Sequence, residues 1–111
     1  LIPVSPVALA QQQLNAYNLR DIDAFLEPYA DDIEIYNYPN SLLYKGKSEM
    51  RLDYSALFDS APDLHCELAG RTVKGNVVTD QEIVRFGNRK IEATAIFHTE
   101  KGKIQKVYFK Q

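Results

Sequence analysis

The chain has 111 residues, enough for one domain that buries roughly two-thirds of the surface its unfolded form would expose and too few for a second. Hydrophobic residues make up 45% of it and charged residues 25%, a globular balance with no run near the roughly 18 apolar residues of a membrane span. With 13 Lys and Arg against 15 Asp and Glu, the net charge of -2 supplies no broad attraction for nucleic acid or an anionic membrane.

Pro3 and Pro6 discourage helix before Val7, while Ser5 is placed to cap one and Pro6 suits its first turn, where the missing N–H costs nothing. The spacing predicts a helix over 6–18, with Val7, Ala10, Leu14 and Tyr17 on its core stripe and Gln11, Gln12 and Asn15 on its wetter side. Asp21 is placed to cap a short second helix in IDAFLEPYADD, where Ile22, Phe25, Leu26 and Tyr29 repeat at helical spacing until Pro28 stops or bends it. An aromatic strand follows over 32–38, alternating Ile33, Ile35 and Asn37 on one face with Glu34, Tyr36 and Tyr38 on the other until Pro39 ends the ladder. Asn37 thus stands on an otherwise apolar face.

LLYKG reads as a short bridge or edge strand, and Pro39, Asn40 and Gly46 permit an irregular lid over 38–46. A third helix over 47–60 carries Met50, Tyr54, Leu57 and Phe58 as its apolar stripe. Pro62 and Asp63 then switch the chain into LHCELAGRTVKGN, VVTDQEIVRF, KIEATAIFHT and KIQKVYFKQ, a meander whose turns fall at Gly75-Asn76, Gly87-Asn88 and Lys101-Gly102. Helices laid on one face of a curved antiparallel sheet leave a cavity between the layers, and chemistry belongs to the side chains that face it.

In an unbulged strand over 90–99, Glu92, Thr94, Ile96 and His98 share one face and Ile91, Ala93, Ala95 and Phe97 the other. Glu92 in an apolar cavity would have a raised pKa and serve as acid or base; on the outer face it is simply solvated. Tyr17 is placed to donate to a carbonyl or oxyanion, or is a core tyrosine satisfied locally. Asn37 both donates and accepts but is no general base, and strand-end capping explains it as well.

His98 lies near a strand end, and His65 alternates opposite Leu64, Cys66 and Leu68, toward the outer side. Without HxH, HExxH or CxxC spacing no metal is expected, and without GxSxG or a glycine-rich phosphate loop neither a covalent nucleophile nor a nucleotide cofactor is. The lone Cys66 has no disulfide partner within the chain, and LIPVSPVALA lacks the basic start and long apolar stretch of a secretory signal, so the cytoplasm is the expected location. The aromatic set Tyr36, Tyr38 and His65 suits a homodimer formed through the outer sheet face.

LNAYNLRDIDAFLEPYADDIEIYNYP, YKGKSEM, PDLHCEL and GKIQKVYF, in that order, resemble the NTF2-like superfamily and its SnoaL-like and ketosteroid-isomerase-like branch over almost the whole chain. The resemblance implies one α+β domain over 1–111, cone-shaped and dimeric, with three N-terminal helices on a strongly curved, mostly antiparallel sheet. It also implies that Tyr17 falls on the oxyanion-hole tyrosine of the isomerases. Asn37 stands where their proton-shuttling aspartate does, and Thr94 where their second, protonated aspartate does. An amide has no accessible conjugate base at neutral pH, so steroid isomerisation is not expected.

Glu92, two residues before Thr94 on the same face, offers a displaced carboxylate. The expected pocket is lined by Leu14, Tyr17, Ile35, Asn37, Met50, Tyr54, Glu92, Thr94 and Phe109 and takes a small hydrophobic molecule. The expected activity is a cofactor-independent isomerase, cyclase or lyase on a carbonyl compound, with Tyr17, Glu92 and Asn37 catalytic. The alternative is a non-catalytic hydrophobic-ligand binder or a dimerisation module.

Overall fold

The computed structural model describes residues 4–111; Pro3 lies outside them. Helix α1 spans Pro6–Leu19, begins with Pro6 in its first turn, and is capped by the Ser5 hydroxyl, which accepts from the Ala8 N–H at 3.1 Å. It ends where Arg20 turns left-handed at φ 53° and returns its N–H to the helix carbonyls. Helix α2, Ile22–Leu26, is capped by Asp21, whose side chain accepts from the Ala24 N–H. Pro28 cannot continue it, so Tyr29, expected on the helical stripe, instead opens strand β1, Tyr29–Asn37.

Strand β2, Ser41–Lys45, folds back antiparallel on β1, so the expected irregular lid is largely a paired strand. Helix α3, Lys47–Ser60, follows. The meander is then β3, His65–Lys74; β4, Val77–Phe86; β5, Arg89–Glu100; and β6, Lys103–Lys110.

The strands form one 6-stranded sheet in the order β2-β1-β6-β5-β4-β3. Every neighbouring pair is antiparallel except β1 and β6, which run parallel. Two features of the expected architecture are corrected. Only α1 and α2 precede the sheet, because the β1–β2 hairpin forms before α3 begins. The sheet is open, with β2 and β3 at its edges, and is not the strongly curved wall of a cone. Its irregularities are local register shifts, at Ile35/Tyr36, Leu68/Gly70 and His98/Thr99 among others.

The helices cover one face. Phe25, Ile33, Met50, Leu64, Val78, Phe97, Ile104 and Val107 are essentially sealed between the layers, where burial of large apolar side chains is the main favourable term. An aromatic knot ties the helices together, with the Phe25 ring centroid 4.6 Å from Tyr54, 5.3 Å from Tyr29 and 5.6 Å from Phe58. Asn18 fastens the end of α1 to the edge strand β3, its amide donating to the Cys66 carbonyl at 3.0 Å and accepting from the Cys66 N–H at 2.7 Å. Two backbone groups that an edge would leave to water are thereby paired.

On the opposite face Tyr36 stacks on Tyr108 at 4.7 Å and His98 meets Tyr108 edge-on at 5.2 Å. Among the described residues no helix is long and apolar enough to cross a membrane.

Candidate functional site

Between the helices and the inner sheet face lies a cavity of about 480 Å³, within the range of small-molecule sites. Helix α1 contributes Gln13, Leu14 and Tyr17, α2 contributes Phe25, and α3 contributes Asp53, Tyr54 and Leu57. The sheet supplies Tyr29, Ile35 and Asn37 from β1, then Cys66, Glu82, Val84 and Phe86 from β3 and β4, and Ile91, Ala93, Phe97 and Phe109 from β5 and β6. Exposed lining residues, Asn37, Leu43, Asp53 and Gln111, mark its mouth. Leu43 and Tyr44 are neighbours in sequence yet both reach the cavity, since the register jumps from Ile35↔Tyr44 to Tyr36↔Leu42 and leaves Leu43 as the extra residue.

Glu82 is the carboxylate inside. Along β4, Val78, Asp80, Glu82, Val84 and Phe86 share the inner face, and Glu82 sits across from Leu68 on β3 and Ala93 on β5. Withdrawal from water pushes its carboxyl up to about 7, the Asp80 charge adds to that, and the Arg71 charge opposes it. The neighbouring hydroxyls are held neutral. Tyr17 and Tyr54 are both raised by burial first, with the Glu82 charge contributing to each. Burial, then Glu82 and Asp80, pushes the Cys66 thiol up to about 12, so it stays a thiol and a poor nucleophile. Tyr29 is spoken for, its hydroxyl donating to the Gln13 Oε1 at 3.1 Å.

Beside Glu82, Asp80 is fully buried and accepts from Arg71 Nε at 2.7 Å and Nη2 at 2.9 Å. Two acids inside a core need such pairing or protonation. The β-bulge at Ala69 makes the pairing feasible. It lets Leu68 and Arg71, three positions apart, face the same way, whereas strict alternation would send Arg71 outward.

Of the residues singled out from sequence, Leu14, Tyr17, Ile35, Asn37, Tyr54 and Phe109 line the cavity. Met50 lies sealed in the core beneath it. Glu92 and Thr94 lie on the other side of the sheet. The Glu92 side chain is 72% exposed and 3.7 Å from Lys90, and Thr94 donates to Gln81 Oε1 at 2.9 Å. The face of β5 that turns inward is the one carrying Ile91, Ala93, Ala95 and Phe97, because the helices need small and apolar groups beneath them. Glu92 therefore does not meet Tyr17.

Glu82, Asp80 and Arg71 were not singled out. Their signal is legible nonetheless, as two acids interrupting the apolar series Val78, Val84 and Phe86 at period two. Among the described residues no three His, Cys, Asp or Glu side chains are grouped to hold a metal ion.

No curated protein matches the chain. Among solved structures, an uncharacterized cystatin fold protein from Novosphingobium aromaticivorans is 26% identical, with a TM-score of 0.88 over 95% of this chain and 97% of that one. A SnoaL-like protein of unknown function from Burkholderia thailandensis is 21% identical, with a TM-score of 0.80 over 94% and 92% of the two chains. An LEH-like epoxide hydrolase from M. tuberculosis is 15% identical, with a TM-score of 0.75 over 97% and 83%; at that identity it speaks for the fold alone. The SnoaL-like domain family matches residues 10–107, a span that runs from within α1 to within β6, and to that family the chain belongs.

Proposed function

We propose that the protein moves a proton on a small, mainly apolar carbonyl compound, as an isomerase, cyclase or lyase in which Glu82 is the acid–base group. The observation that carries this reading is the Glu82 carboxyl, set deep in a mainly apolar cavity away from the exposed Asp53 at its mouth, and held at about 7, where acid and base forms coexist at neutral pH. The ionised form takes the proton from the carbon beside the carbonyl. The electron pair moves onto the carbonyl oxygen, Tyr17 donates its hydroxyl to that oxygen, and protonated Glu82 returns the proton to another carbon.

Tyr17 suits the donor role because burial and the Glu82 charge keep its hydroxyl protonated. Asn37 at the mouth orients the outer end of the ligand. Among the described residues the side chains lining the cavity include no Lys, Arg or His, so a carboxylate or phosphate ligand would meet no counter-charge from them. A neutral substrate follows.

The test is hydrogen–deuterium exchange beside the carbonyl of 2-tetralone in heavy water, followed by NMR. Wild-type protein is expected to accelerate it, and Glu82→Gln to slow it by about 100-fold or more. Equal rates in the two proteins would overturn the reading. Binding without turnover is the second reading, favoured by the mainly apolar wall; ligand affinity in the absence of any exchange would establish it.

A further inference from the structure

Two carboxylates, Asp80 and Glu82, lie two positions apart on the inner face of β4, and one guanidinium, Arg71, lies beside them. Either acid is within the field of that cation, since the Arg71 charge acts on Glu82 as well as on Asp80. Yet the guanidinium is committed. Its Nε and Nη2 grip both oxygens of Asp80, and Nη1 donates to the Gln11 Oε1 on α1 at 2.9 Å. A planar fork bound at both prongs to one carboxylate, and fixed from a third direction, is not free to turn to another.

We propose that Asp80 and Gln11 are positioning residues that withhold the Arg71 guanidinium from Glu82, so that Glu82 faces the cavity without a counter-ion. This rests on the reading of Glu82 as the acid–base group and names what keeps it in that state. Burial alone does not guarantee it, because a buried carboxyl with a cation in reach pairs with that cation and stays ionised far below neutrality. The bulge at Ala69 brings Arg71 inward, and Asp80, with 0% exposure, absorbs the charge. The other ionisable groups lining the cavity are Tyr17 from α1, Tyr29 from β1, Tyr44 from β2, Tyr54 from α3 and Cys66 from β3, all raised and neutral near pH 7, and the exposed Asp53 from α3 at the mouth. None of them supplies a positive charge.

The experiment follows the Glu82 carboxyl by carbon-13 NMR across pH, together with the pH profile of tetralone exchange. In Asp80→Asn the freed Arg71 turns to Glu82, and the titration midpoint falls by about one pH unit or more. In the double variant Asp80→Asn with Arg71→Met both charges are gone, and the midpoint rises from its Asp80→Asn value back toward the wild-type value without exceeding it, since Asp80 raises Glu82 more than Arg71 lowers it. Loss of the Asp80 charge alone lowers the midpoint even with Arg71 unmoved, so the charge-neutral Gln11→Ala, run beside it, isolates the release of Arg71, and an unmoved midpoint there overturns the proposal. Should Asp80→Asn fail to fold, Gln11→Ala carries the same prediction on the more exposed helix, a smaller fall in the midpoint.

An unmoved or raised midpoint in Asp80→Asn or in Gln11→Ala overturns the proposal. So does a double variant whose midpoint stays low. A midpoint that moves as stated while wild-type protein exchanges no protons leaves the proposal standing and removes the acid–base reading. Exchange by wild-type protein with an unmoved Asp80→Asn midpoint does the reverse.

Discussion

Replacing Glu82 by Gln should stabilise the protein at alkaline pH and leave it little changed at acid pH. The folded state holds the Glu82 proton to about 7, against an ordinary value of 4.5 in the unfolded chain. Between those two values the folded protein binds the proton and the unfolded chain has already lost it. Stability contributed by this group is therefore fully present below pH 4.5 and falls as pH rises through 7. At about 1.4 kcal/mol per pH unit the loss amounts to about 3 kcal/mol, a large share of the 5–15 kcal/mol typical of a domain, by order of magnitude. Gln is isosteric, carries no charge, and escapes the loss.

Urea denaturation of both proteins at a series of pH values from acid to alkaline reads the difference directly. Other groups cancel in the subtraction, including Asp32 and Glu34, whose lowered values pull stability the opposite way at acid pH. The expected difference grows in favour of Glu82→Gln by about 3 kcal/mol on passing from below pH 4.5 to above pH 7. A difference that does not change across that window would refute the reasoning, because a carboxyl that costs nothing to ionise is not desolvated. Perturbed groups of this kind cluster at working sites, though buried ion-pair networks carry them too, so the stability difference tests the desolvation and the exchange assay tests the role.

Three further outcomes follow from the geometry. Tyr17→Phe keeps the ring contacts with Phe25 at 5.9 Å and Phe58 at 5.5 Å, so thermal stability should hold while tetralone exchange drops by about 100-fold. Glu92→Gln should leave both exchange and ligand affinity unchanged, since the side chain is 72% exposed on the opposite face of the sheet; a loss of exchange would move the acid–base role back to β5. Asn18→Ala removes both bonds to Cys66 and should cost about 2 kcal/mol in denaturant titration, with hydrogen exchange rising first at the start of β3.

The parts of the fold that local pattern dictates were legible. Ser5 and Pro6 mark the start of α1, the stripe from Met50 to Phe58 marks α3, and the three glycine turns punctuate the meander, as found. Tyr29 fits a helical and a strand period equally; Pro28 stops the helix before it, and the pairing of β1 with β6 at Tyr29↔Ile104 draws it into the sheet. That parallel pairing is also what joins the hairpin to the meander in one open sheet. It links residues far apart in the chain, so no window of local periodicity contains it.

The site shows the same limit. Alternation sorts β5 into two faces but does not say which is inward, and the side with the polar candidates, Glu92 and Thr94, is the outer one. The choice is made by the neighbouring strand. Asp80 pairs in register with Ala95 and Glu82 with Ala93, so each inward acid on β4 lies beside an inward alanine on β5. A larger residue at Ala93 or Ala95 would fill the space the carboxylates need, and a smooth apolar face on β4 would leave the alanines with a void beside them. The two strands are therefore informative only together. The alanines, which look like unremarkable packing in their own strand, are the complement of the acids in the next, and the room they leave is the part of the cavity that Glu82 faces.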